Sequence, residues 1–240
     1  MSDTLISASG LTRYYESGEM KVAALAGVDL TIERGAYVVL AGRSGSGKTT
    51  LLNMLGGLDR PDTGSLVIAG DDVLVKSTSE RAAFRLHHLG FVFQSYNLIR
   101  VLSARENVAY VLQLQGMEKK ERFALADHWM AEVGLQGFEN RRPDQMSGGQ
   151  QQRVAVARAL ASNPDLVLAD EPTANLDSHT GESLMALMRR LNEQQGTTFV
   201  IASHDPAVIA SARTLVNMQD GQIVSVEGKD IEAVKGDTVS

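Results

Sequence analysis

No cysteine occurs among the 240 residues, so neither a disulfide nor a thiolate metal site can form, a composition that suits a reducing compartment. Cations are the minority charge: 23 Lys and Arg stand against 29 Asp and Glu, a formal net charge of -6. A broad nucleic-acid surface needs clustered Lys and Arg to displace counterions and is therefore not expected, although a local phosphate site remains compatible with this balance. Long apolar runs are also missing, and the first residues have neither the basic region nor the apolar stretch of a signal peptide. The expectation is a chain that cannot span a membrane by itself and reaches one only through another protein. What is present, 43% hydrophobic and 22% charged residues, suffices for one large α/β domain with a buried core.

Along the chain, Val28, Leu30 and Ile32 alternate as in a half-buried strand, and Tyr37-Val-Val-Leu-Ala41 reads as a buried strand running into a Gly-rich loop. A helix is expected from about Thr49 to Leu55, a strand at Ser65 to Ile68, a helix at Glu80 to His88 and a strand at Gly90 to Phe93. From Ser103 to about Gln145 the pattern is helical, opening on a capping-box pair, Ser103 and Glu106. The αβ alternation then resumes with a helix from Gly149 to Ser162, a strand at Leu166 to Ala169, a helix after Asp177 and a strand at Thr198 to Ala202. Last come strands at Thr214 to Met218 and Gln222 to Ser225. The domain is placed at 1–225, with a helical insert at about 95–155 and a polar tail at 226–240.

The loop Gly42-Arg43-Ser44-Gly45-Ser46-Gly47-Lys48-Thr49 is a P-loop. A triphosphate needs many donors packed closely, and the glycines let successive backbone N–H groups turn toward it. Lys48 adds a full charge, the Thr49 hydroxyl suits Mg²⁺, and Thr50 can reach the α-phosphate. Downstream, the apolar strand from Leu166 delivers Asp170 and Glu171 to its carboxyl end, where open α/β sheets bind ligands. Strand alternation points the two carboxylates to opposite sides, Asp170 toward the metal and Glu171 toward the γ-phosphate and an attacking water.

With these motifs in this order, the chain resembles the nucleotide-binding subunit of an ABC transporter over nearly all of its length. The resemblance extends to Tyr15, at the position of the aromatic that stacks on adenine, and to Gln94, at the position of the glutamine that senses Mg²⁺ and links the core to the helical insert. Ser147-Gly148-Gly149-Gln150 corresponds to the signature motif, Asn175-Leu-Asp177 to the D-loop and His204 to the switch histidine. Met146 stands where the family usually has Leu, an exchange of similar volume. The resemblance implies an α/β P-loop NTPase fold with a RecA-like core, an N-terminal antiparallel β subdomain and an inserted α-helical subdomain. It implies an ATPase using ATP and Mg²⁺, with Glu171, His204 and Gln94 catalytic and Thr49, Gln94 and Asp170 at the metal. The signature motif opens a helix, whose free N–H groups suit an anion. In the family that anion is the γ-phosphate on a second copy, so Ser147 to Gln150 and Asp177 are expected to act in trans in an ATP-sandwich homodimer. Gln151, Gln152 and Arg153 are expected to serve packing.

Within the family, Gly18-Glu19 ahead of Ala24-Leu25, the stretch Gly90 to Ile99, the run Ser147 to Arg153 and Ala169 to Asp177 resemble the lipoprotein-release and macrolide-export group. That group pairs the ATPase with a permease bearing a large extracytoplasmic domain, which implies a place on the cytoplasmic face of the membrane. Leu98, Ile99, Leu102, Ala109 and Tyr110 are the candidates for a permease groove. The alternative is a membrane-linked ATPase that regulates a cell-envelope or cell-division process. DNA-directed and translation-directed relatives are disfavoured by the short insert, the one cassette and the acidic charge.

Overall fold

The computed structural model describes residues 3–17, 20–228 and 231–232. Its centre is a six-stranded sheet in the order β10-β9-β3-β8-β7-β6. Here β3 is Tyr37–Ala41, β6 Leu89–Phe93, β7 Leu166–Asp170, β8 Thr198–Ser203, β9 Thr214–Gln219 and β10 Gln222–Glu227. All neighbouring pairs are parallel except β9 and β10. Parallel strands buried on both faces explain why β3, β7 and β8 read as continuous apolar runs.

Alternate residues of those strands feed two separate cores. Val39, Val167 and Ile201 face one cluster with the helices α5 (Gly148–Ala161) and α6 (Ser178–Gln195), while Val38, Leu168 and Val200 face another with α1 (Lys48–Leu55). The second cluster is closed by an antiparallel sheet, β11-β2-β1-β4-β5. Its strands are β1 Thr4–Ser17, β2 Met20–Glu33, β4 Thr63–Ile68, β5 Asp71–Asp72 and β11 Ile231–Glu232. Val28, Leu30 and Ile32 of β2 are all buried in this second core, as their alternation predicts, and Leu25 joins them.

Between β6 and β7 the chain forms α3 (Ala104–Leu114), α4 (Lys119–Glu132), a 3-10 turn at Pro143–Gln145 and then α5. The predicted capping box is formed: the Ser103 hydroxyl accepts from the Glu106 N–H at 3.3 Å, and the Glu106 carboxylate accepts from the Ser103 N–H at 2.8 Å. Val108, Leu112, Ala126, Trp129, Met130 and Val133 bury the seam of this insert against Val154 and Ala157. Met146 lies in the same core, 7% exposed, where an apolar side chain of that size is what the site requires. A further helix, α2 (Thr78–His88), precedes β6, and the short α7 (Pro206–Ala210) follows β8.

The C-terminal segment departs from the expected tail. β10 runs on to Glu227, and Ile231 and Glu232 pair with Ile32 and Thr31 of β2. Most of the expected tail, 229–230 and 233–240, lies outside the described residues. Among the described residues, no helix is long and apolar enough to cross a membrane.

Candidate active site

The P-loop joins β3 to α1 at the seam between the two sheets. Gly47 has φ 102, and a Cβ there would lie 2.5 Å from the Ala24 carbonyl oxygen, so both the turn and the close approach of β2 demand glycine. Arg43, Ser44 and Gly45 form the exposed crest, and Thr50 is half-buried on the helix. Lys48 is only 6% exposed; its ammonium donates to the carbonyls of Gly42 at 2.7 Å and Arg43 at 3.1 Å, which keeps the charge on the loop's inner wall. The Ser46 hydroxyl is buried and has no protein partner.

Two strands away, Asp170 ends β7. Its carboxylate accepts from the Thr49 hydroxyl at 3.2 Å, so the two expected metal-side residues meet. Burial pushes the Asp170 carboxyl above its ordinary range; the neighbouring Glu171 charge adds to this, and the Thr49 hydrogen bond and Lys48 oppose it. These hard oxygen donors beside a lysine suit a small divalent cation that is shared with phosphates.

Glu171 is oriented differently from expectation. It lies beyond the strand with φ 44, a left-handed conformation, and its N–H donates to the Ala202 carbonyl at 2.9 Å. A tight turn, rather than strand alternation, separates its carboxylate from that of Asp170. One Glu171 oxygen accepts from the Ser203 hydroxyl at 3.0 Å, and the other lies 2.7 Å from Nδ1 of His204. Ser203 in turn accepts from the Asp205 N–H at 3.1 Å, so this hydroxyl bridges the carboxylate and the loop carrying His204. His204 itself is 67% exposed.

Gln94 is exposed just past β6, and its carbonyl accepts from the Asn175 side chain at 2.9 Å. Ser147 caps α5 in a reciprocal box with Gln150, at 3.3 and 2.9 Å, so the amides of Gly148 and Gly149 are left in the uncapped first turn. Asp177 caps α6, accepting from the N–H of Thr180 at 3.0 Å and from its hydroxyl at 2.7 Å. A Cβ on Gly148 or Gly149 would meet Tyr96, Leu176 or Thr180, whereas one on Gly42 or Gly47 would meet Met218, Ser46, Ala24, Leu25 or Gly221. The expected site residues thus form one group around Lys48, Asp170, Glu171 and His204, and a second group around Ser147 and Asp177. Tyr15 is 41% exposed on β1, beside the turn that follows α1.

Several residues that tie these parts together carry no linear signal. Gln152, fully buried, donates to the carbonyls of Phe93 and Pro172 at 3.3 and 2.9 Å, joining the residue before Gln94 to the residue after Glu171. Of the run expected to serve packing, Arg153 does so through the Val133 carbonyl and the Ser183 hydroxyl, at 2.9 and 2.7 Å. Arg158 donates to the carbonyls of Asn97 and Tyr96 at 2.6 and 3.0 Å, holding two residues that both have positive φ.

Two open surface grooves lie near Gln94 and the insert, one lined by Leu98 with Tyr96, Arg100, Pro143 and Asn175, the other more apolar. The second lies between α2, β6 and α3 and is lined by Leu58, Leu86, Phe91, Phe93, Val111 and Leu114, with Arg158 among them. Of the groove candidates, Leu98 lines the first of these and Tyr110 is 40% exposed. Ala109 is 3% exposed inside the insert's core, and Leu98 packs partly against the same core. Residues 18–19, part of the subgroup resemblance, lie outside the described residues.

A model of the family described as "ABC transporter" matches residues 25–174, from β2 through the turn that holds Asp170 and Glu171. The chain belongs to the ABC transporter family. As an ABC ATPase cassette it is 43% identical over 229 residues to the macrolide export ATP-binding/permease protein MacB of Neisseria gonorrhoeae, covering 95% of this chain and 35% of that protein. The corresponding protein of Azoarcus sp. (strain BH72) is 45% identical over 224 residues, covering 93% and 34%. The cassette therefore spans about a third of the length of these relatives. Among solved structures, the dimeric post-hydrolysis state of the ATP-binding cassette MJ0796 with ADP and Pi superposes with a TM-score of 0.86 at 40% identity, covering 93% of this chain and 98% of that one. The cbiO1 subunit of the cbiONQ transporter complex from Clostridium perfringens gives a TM-score of 0.84 at 26% identity, with coverage of 93% and 88%.

Proposed function

We propose that this chain is the ATP-hydrolysing subunit of a membrane export or extraction machine, working as a head-to-tail pair on a permease. The observation that carries the reading is the contact of Thr49 with Asp170 at the edge of the P-loop, with Glu171 directly beside it. In this reading the backbone from Gly42 to Gly47 and the side chains of Arg43, Ser44, Ser46, Lys48 and Thr50 bind the phosphates of ATP. Tyr15 stacks on the base. Thr49, Asp170 and Gln94 would hold Mg²⁺, which would supply charge neutralisation on the phosphates.

Glu171 takes the proton of the attacking water. The Ser203 hydrogen bond fixes one carboxylate oxygen, and His204 holds the other while remaining exposed enough to turn toward the γ-phosphate. Ser147, Gly148, Gly149, Gln150 and Asp177 sit away from the P-loop of their own chain and meet the γ-phosphate bound to a second copy. The groove of Leu86, Phe91 and Leu114 receives the permease, and the pins of Gln152 and Arg158 carry its movement to the site. The relatives named as ATP-binding/permease proteins support pairing with a permease; the extracytoplasmic domain of that permease and a place for the cassette on the cytoplasmic face follow from the subgroup resemblance alone.

The test is light scattering of Glu171→Gln with and without ATP and Mg²⁺. An ATP-dependent shift from monomer to dimer is expected, because binding is kept while the chemical step is blocked. A variant that binds ATP and stays monomeric, alone and with a copurified permease, rejects the sandwich.

A further inference from the structure

Arg13 and Tyr15, two residues apart on β1, lie on one face of the strand, and the Arg13 guanidinium carbon sits 5.0 Å from the centre of the Tyr15 ring. Both are held from the turn between α1 and β4. One oxygen of Asp59 pairs with Arg13 at 3.0 Å, and its other oxygen accepts the Tyr15 hydroxyl at 2.8 Å. Asp62 pairs with Arg13 at 3.3 Å and accepts the Tyr14 N–H at 2.7 Å. The Arg13 Nε is buried with no hydrogen-bond partner, and the Tyr15 side chain is the largest influence holding the guanidinium in its charged form. Tyr15 is nonetheless 41% exposed. A cation therefore backs one side of the ring while part of the side chain remains open to solvent.

We propose that Arg13 is a positioning residue for purine recognition, holding Tyr15 as a preformed platform for the base. The inference rests on the reading of Tyr15 as the stacking aromatic. A tyrosine ring fixed at its face by a guanidinium and at its hydroxyl by Asp59 gives up little side-chain freedom when a base lands on it. The guanidinium also draws π density toward its own side, so the opposite face offers less repulsion to an electron-rich purine. Two carboxylates already balance the Arg13 charge, so it contributes to the base and not to the polyphosphate. That separates this role from generic electrostatic attraction and from mere knitting of β1 to the turn.

Calorimetric titration of the full chain with Mg²⁺ and either ATP or inorganic tripolyphosphate tests this in wild type, Arg13→Leu, Asp59→Ala and Tyr15→Ala. Arg13→Leu and Asp59→Ala are each expected to weaken ATP by about three- to tenfold and to leave tripolyphosphate within about twofold. Wild-type ATP affinity in Arg13→Leu beside a weakened Tyr15→Ala overturns the positioning role alone. Wild-type affinity in Tyr15→Ala overturns the stacking reading beneath it. Equal loss of both ligands assigns Arg13 to the fold and also overturns the proposal. Should Arg13→Leu not fold, Arg13→Gln, which keeps a polar side chain but removes the cation, decides by the same comparison.

Discussion

Burial raises the Asp170 carboxyl, and that has a consequence for stability. A carboxyl raised in the folded state favours folding most below its unfolded value, near about 3.9, and that favour is lost as pH rises through the folded value. At neutral pH the ionised group is therefore a net cost of the fold, kept for chemistry. Asp170→Asn is expected to melt higher than wild type at pH 7, the gap narrowing to nothing as the pH falls through the acid range, and to lose ATPase activity. Thermal melts across pH together with phosphate release check both halves, and a variant that is less stable at neutral pH refutes the sign. Asp170 and Glu171 were legible in the sequence because an apolar strand leads straight into them. The left-handed turn at Glu171 was not, since nothing in Asp-Glu-Pro marks a positive φ. Nor were the partners Ser203, Gln152 and Arg13, whose contacts join segments far apart in the chain.

Among elements, β6 packs closely on α5. A Cβ on Gly90 would lie 2.5 Å from the Ala159 carbonyl oxygen, a backbone atom that cannot step aside as a side chain can. Gly90→Ala is expected to destabilise the domain by about 1–3 kcal/mol, read as a lower urea midpoint at unchanged slope. An unchanged midpoint shows that the helix relaxes freely. β3, β7 and β8 were legible as apolar runs because both faces of a parallel strand are covered. β1 escaped the alternation test because its pairing with β2 shifts register between Ala8 and Leu11 and again between Arg13 and Tyr14. α7 is only five residues long, too short for a helical period. The insert reads as one helical stretch in sequence, yet Gly116 and Gly134 turn it into separate helices with positive φ.

For the whole molecule, the groove of Leu86, Phe91 and Leu114 is an exposed apolar surface left outside the two cores. Leu58 and Leu114 are 50% and 55% exposed along it, and no acidic side chain lines it. Leu114→Glu is expected to abolish copurification with the proposed permease while shifting the melting temperature by no more than about 2 °C, since an exposed helix position carries little folding energy. Retained copurification refutes the groove as the docking surface. Its lining was not legible because it is assembled from Leu58 after α1, from α2, from β6 and from α3, and only the fold brings these together. Trp129, the chain's one tryptophan, is 7% exposed in the seam of the helical insert. The molecule thus carries a built-in optical label on its insert and none on its catalytic sheet. Under excitation selective for indole, the proposed base stacking at Tyr15 is dark, and a change in emission on adding nucleotide reports how the insert responds.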